Sequence, residues 1–116
     1  MQSHEDLLVW QKAVKLSIAV YKLTEKFPAR ETYGLSSQLR RAAVSVPSNI
    51  AEGRRRSTAA DFAHFLHMAY GSLAEIETQL LIGKELSFMS QKEYEEVRVA
   101  IVEISKMLHG MIKKLR

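Results

Sequence analysis

Between Val9 and Phe27 the apolar residues Val9, Ala13, Leu16, Val20, Leu23 and Phe27 recur at alternating intervals of four and three. That rhythm keeps one face of a helix apolar over about five turns. Ser3 and Asp6 stand in a Ser-x-x-Asp capping arrangement, and Pro28 disfavours helical backbone at Phe27. A first helix is predicted over residues 6–27. A second stripe, Leu35, Leu39, Ala42, Val46 and Ile50, predicts a helix over residues 32–53. Pro47 lies inside it, where it removes one backbone bond and presses on the carbonyl of Ala43, so a kink is expected there. Gly53 reads as the C-cap.

The third stripe is the most regular: Phe62, Leu66, Ala69, Leu73, Ile76, Leu80 and Gly83, with Thr58 and Asp61 as a capping pair. It predicts a helix over residues 58–86. Tyr94, Val97, Ile101, Ile104, Leu108, Met111 and Leu115 keep the same beat, opened by a Ser90–Glu93 capping box, for a helix over residues 90–115. Nothing alternates with the period of a strand. Four amphipathic helices on short connections make an all-α, antiparallel up-down-up-down four-helix bundle, one domain over residues 1–116.

Several helices carry a second set of apolar residues. The first adds Trp10, Val14, Ile18 and Tyr21; the third adds Phe65, Met68, Ile82 and Leu86; the fourth adds Val99, Val102 and Ile112. Apolar side chains spread this widely are hard to hide inside one four-helix unit, so a homo-oligomer that buries the surplus is expected in preference to a monomer with scattered exposed apolar residues.

A polar line also runs along the second helix: Gln38, Arg41, Ser45, Asn49 and Glu52. Ser72, Glu75 and Gln79 form its counterpart on the third. Facing each other, they can pair Arg41 with Glu75, and Asn49 with a backbone group freed by Pro47. A hydrogen-bonded network that fixes helix register is the expected role, in preference to a polar site.

Composition narrows the function classes. The chain has no cysteine, which excludes disulfides and thiolate metal sites and fits a reducing compartment. Glu5 and Asp6 precede the first apolar residues and no stretch of 18 apolar residues occurs, so neither a signal peptide nor a membrane span is read, and a cytoplasmic protein is expected. No Glu-x-x-His pair of the kind used by dimetal bundles is present. His64 and His67, with Asp61 one turn earlier, can share a helix face, but surface histidines are the plainer account and no metal or other cofactor is expected. Phosphate-binding glycine loops, dinucleotide fingerprints and nucleophile elbows are missing, so the chain reads as no enzyme, with no catalytic residue assigned.

The formal net charge of +4 is concentrated between Gly34 and Ala60, where Arg40, Arg41, Arg54, Arg55 and Arg56 face Glu52 alone. Lys113, Lys114 and Arg116 form a second cluster at the chain's end. Helix-dipole compensation is one account. The other is a patch for RNA or DNA phosphates, sequence-blind because no aromatics interleave with the cations.

The segment GLSSQLRRAAVSVPSNIAEGRRRS, Gly34 to Ser57, resembles the bacterial four-helix-bundle family named after proteins encoded in 23S rRNA intervening sequences. The resemblance extends to Leu7–Pro28 and Phe65–Leu80; its signature is SVPSNIAEG, with Val46 where the family usually carries Ile, and it takes in Asn49, Ala51, Glu52 and Gly53. It implies a homopentamer with no assigned enzymatic activity. More distantly, the chain is similar to the accessory variability determinant protein of diversity-generating retroelements, a basic pentameric barrel that engages a reverse transcriptase and nucleic acid. Two functions are therefore expected to compete: a ring that binds nucleic acid through its arginines, and a protein-interaction scaffold whose arginines are merely solvated.

Overall fold

The computed structural model describes residues 3–115. These form α1 (Leu8–Thr24), α2 (Leu35–Arg54), α3 (Ala59–Glu85) and α4 (Gln91–Lys114), with 3-10 turns at His4–Asp6 and Ala29–Glu31 and no strand among the described residues. The helices stack into a rod of 43 × 23 × 20 Å.

Contacts between helices fix their directions. Ser17 meets Ala43 and Thr24 meets Arg40, so α2 descends beside a rising α1. Ser45 meets Ser72 and Gln38 meets Gln79, so α3 rises again. Tyr70 lies near His109 and Lys84 near Tyr94, while Lys12 pairs with Glu103 and Lys26 with Glu93, so α4 descends between α3 and α1. The order is up-down-up-down, closed into a four-sided bundle.

The predicted stripes are the core. Val9, Ala13, Leu16, Val20, Leu23 and Phe27 are all buried, as are Leu39, Ala42, Val46 and Ile50, and Leu66 through Gly83 at the stripe positions of α3. Each large apolar side chain hidden this way contributes about 1.5–3 kcal/mol before entropy is set against it. On α4 the last turn differs from expectation. Ile112 is buried and Met111 only half-buried, because the helix's 3.6-residue turn drifts off a strict seven-residue repeat.

Helix ends follow the capping signals on α3 and α4. Thr58 Oγ1 accepts from the Asp61 amide at 3.1 Å. Ser90 and Glu93 form a full reciprocal capping box, with bonds of 3.1 and 2.9 Å. The first helix starts later than predicted: Ser3 caps the short His4–Asp6 turn instead, and extended Leu7 separates that turn from α1. α2 likewise starts at Leu35, where the Glu31 carboxylate accepts from the Leu35 amide at 3.0 Å. It then runs unbroken to Arg54 with Pro47 inside.

Gly53 is not a C-cap. It is buried within the last turn of α2, and a Cβ there would sit 2.7 Å from the Phe65 Cβ and 3.0 Å from Phe62 Cδ1. The missing side chain lets α2 and α3 close together at the start of their hairpin. The turn between α3 and α4 has the Schellman pattern: Phe88 N–H donates to the Gly83 carbonyl at 2.9 Å and Ser87 N–H to that of Lys84 at 3.0 Å. The residue that takes the left-handed conformation is Ser87, at φ 65°.

Candidate functional site

Proline at position 47 has no N–H, so the Ala43 carbonyl lacks its helical partner. Ser17 of α1 supplies one: its buried Oγ donates to the Ala43 oxygen at 2.9 Å, while also lying 3.1 Å from the Ala13 oxygen on its own helix. The signature proline is thus answered across the helix interface by a hydroxyl. Asn49, expected to take the freed carbonyl, instead donates from Nδ2 to the Ser45 oxygen at 2.8 Å and to Ser45 Oγ at 2.9 Å. Ser45 Oγ in turn bonds Ser72 Oγ at 2.8 Å, so the chain Asn49–Ser45–Ser72 ties α2 to α3. Ser17 carries no signal of its own in the sequence; only the carbonyl orphaned by Pro47 points towards the need for such a donor.

The outer part of the polar line stays open. Gln38, Arg41, Glu75 and Gln79 border a cleft of about 280 Å3 between α2 and α3. Gln79 Nε2 reaches Gln38 Oε1 at 3.4 Å, and Gln79 Oε1 is buried without a hydrogen-bond partner. Arg41 and Glu75 share the cleft but are not among the ion pairs of the described residues. Glu52 pairs locally, accepting from Arg56 just beyond the end of α2 at 2.7 Å.

The arginines fall into separate places. Arg40 is held on α1: its Nε donates to Thr24 Oγ1 at 2.8 Å, its Nη2 to the Tyr21 carbonyl at 3.3 Å, and its guanidinium lies 4.7 Å from the centre of the Tyr21 ring. It closes off the C-terminal turn of α1, where a cation and a carbonyl-seeking donor both belong. Arg41 faces the α2/α3 cleft, about 20 Å along the helix axis from Arg54. Arg54 and Arg56 lie over Phe62 and Phe65, with 5.8 and 4.8 Å to the ring centres, and Arg55 is exposed. The antiparallel course of α4 brings the exposed Lys113 and Lys114 to this same end of the rod. Asp61, Glu52, Glu5 and Asp6 belong to that end too. Arg116 lies outside the described residues.

Between α1 and α2 a mainly apolar groove of about 490 Å3 is bordered by Val14, Ile18, Tyr21, Val44 and Pro47, with Ser17, Lys22 and Glu25 also lining it. His64 is exposed against the edge of Phe65, and His67 is exposed. No group of three or more His, Cys, Asp or Glu side chains able to hold a metal comes together among the described residues. No helix there is long and apolar enough to cross a membrane. At the other end of the rod the Lys26 ammonium, together with the Ser90 amide, holds the Glu93 carboxyl down at about 2, and the same pair raises Lys26.

Compared with known proteins, residues 5–110 match the family model described as 23S rRNA-intervening sequence protein. The chain belongs to that family. A similar solved structure is a protein of unknown function from the S23 ribosomal protein family of Bacteroides thetaiotaomicron VPI-5482, at TM-score 0.83 and 25% identity. The match covers 91% of this chain and 99% of that one. Among curated proteins none matches. Membership places Pro47 and its Ser17 partner inside the family-matched region, as it does Arg40, Arg41 and Arg54 to Arg56, while Lys113 and Lys114 fall beyond it.

Proposed function

We propose that the protein is a non-enzymatic, cytoplasmic helical bundle that works as an assembly of its own copies, in a closed ring of five. The observation that carries this reading is the α1/α2 groove. Ile18, Tyr21 and Val44 border it while remaining 51%, 43% and 41% exposed. Scattered apolar side chains on a surface are ordinary, whereas a contiguous apolar groove on one face asks for a cover. A ring joins unlike surfaces of neighbouring copies, and exposed Leu81, Ile82 and Leu86 towards the C-terminal end of α3 offer a second apolar surface. The number five is what the family resemblance implies.

Light scattering on the purified chain tests this directly. The expected mass is five times the 13.2 kDa of one chain, falling to a single chain when Ile18→Glu and Val44→Glu are combined with helicity intact. A parent protein that stays monomeric at high concentration overturns it.

A second reading, binding of RNA or DNA phosphates, is favoured by the gathering of Arg54, Arg55, Arg56, Lys113 and Lys114 at one end of the rod. A ring would multiply that end by the number of copies. Binding to duplex DNA or RNA should then weaken steeply with salt, with a slope that shrinks when Arg54, Arg55 and Arg56 become Ala. Binding that ignores those substitutions leaves the protein-interaction scaffold as the reading.

A further inference from the structure

A closed ring joins two unlike faces of each copy, and in rings of four to six members those faces are inclined by about 90–120°. Opposite sides of a four-sided bundle are parallel and would stack copies into an open row, whereas neighbouring sides meet at about 90°. The α1/α2 groove therefore finds its counterpart on one of the two sides next to it. The α1/α4 side is already bridged within the chain by the 2.7 Å ion pair of Lys12 with Glu103. The α2/α3 side is not.

There Arg41 and Glu75 are exposed and border a cleft without pairing, and the buried Gln79 oxygen has no donor. Exposed apolar residues flank them: Met68 and Ile82 stand seven residues before and after Glu75 on α3, and Leu86 seven after Gln79. A whole side of the 43 × 23 × 20 Å rod presents roughly 900 Å2, about what one partner gives to a stable interface. On the α1/α2 side Lys22 and Glu25 are exposed beside Ile18 and Tyr21, and they too stand outside the ion pairs of the described residues. Thr24 meets Arg40 and Gln38 meets Gln79, so Lys22 and Glu25 lie at the height of Arg41 and Glu75 along the rod. A ring whose axis follows the rod keeps those heights from one copy to the next.

We infer that the α1/α2 side of one copy seats on the α2/α3 side of the next, pairing Lys22 with Glu75 and Glu25 with Arg41. This rests on the ring proposed above and names the surface that completes it. α2 is common to both sides and lies innermost, so α1 of one copy meets α3 of its neighbour. Both helices run in the same direction, as an axis along the rod requires. Ile18 then falls between Met68 and Ile82, and the Lys22 ammonium supplies the donor that the Gln79 oxygen lacks once its amide turns outward. Each cleft is completed by charges from another copy, which makes the contact directional.

Charge exchange on the full chain tests the pairing, with mass followed by light scattering over a dilution series and helicity by circular dichroism. Lys22→Glu with Glu25→Lys reverses one side, and Arg41→Glu with Glu75→Lys reverses the other; neither changes the net charge. Each exchange should raise the concentration of half-dissociation about ten-fold or more, because like charges then oppose at every contact. All four substitutions together should restore the parent value. Lys15→Glu with Glu96→Lys, on the α1/α4 side, should leave it unchanged. An assembly indifferent to either of the first two exchanges, a four-fold variant as dissociated as they are, or weakening by the α1/α4 exchange would each overturn the pairing and leave the ring. A parent of single-chain mass would overturn both.

Discussion

Replacing Ser17 by Ala removes the hydroxyl that serves the Ala43 carbonyl and leaves that buried acceptor with no donor. Ser17 is 8% exposed, and Ala43 is fully buried, so water cannot readily take over. A buried acceptor stripped of its partner costs about 1–3 kcal/mol, and the small apolar gain of alanine trims this to about 1–2 kcal/mol. In a chain of this length that is a fall of roughly 4–8 °C in melting temperature at fixed protein concentration. The distinctive outcome lies in the cycle with Pro47→Ala. Alanine at 47 restores the amide, which can donate to Ala43 from within α2, so Ser17→Ala should then cost about 1 kcal/mol less. Urea unfolding followed by far-ultraviolet circular dichroism on the parent, both single variants and the double variant measures that coupling. If Ser17→Ala costs the same with and without Pro47, the hydroxyl is not compensating the proline and the argument fails.

Gly53→Ala places a Cβ 2.7 Å from that of Phe65, a fixed atom, and should cost about 1–3 kcal/mol in denaturant despite alanine's better helix propensity; an unchanged midpoint would refute the close-approach account. Ser87→Gly relieves a left-handed residue and should stabilise by about 0.5–1 kcal/mol in the same assay, with loss of stability as the contrary result. Glu93 is depressed to about 2 from 4.5, so its ionised form favours the fold above pH 4.5 and that contribution fades as pH falls towards 2. The melting-temperature gap between parent and Glu93→Gln should thus be full at neutral pH, close in acid, and shrink with added salt because the pair is exposed. Raised Lys26 keeps its share below 10.5 and loses it as pH climbs beyond.

Much of this fold is legible in apolar spacing because a bundle helix has one simple obligation, to keep a stripe facing inward. Val9 to Phe27 and Leu66 to Leu80 read correctly for that reason, and the Ser90–Glu93 box reads correctly because its partners are local. Gly53 was misread because a C-cap glycine and a close-approach glycine look the same in one dimension; only the position of Phe65 separates them. Arg40 and Arg54 to Arg56 stand close in sequence, yet the helix between them carries them about 20 Å apart, and Arg40 meets Thr24 on another helix. Ser17 was not legible, because nothing local marks a serine 26 residues from the carbonyl it serves.

The alternating course of the helices has an electrical consequence. α1 and α3, of 17 and 27 residues, point one way; α2 and α4, of 20 and 24, point the other, with equal totals. Peptide dipoles summed along each helix therefore oppose one another and nearly cancel over the rod. Whatever potential distinguishes its two tips is written by ionised side chains alone, so a few substitutions can erase or reverse it while the backbone remains a neutral frame.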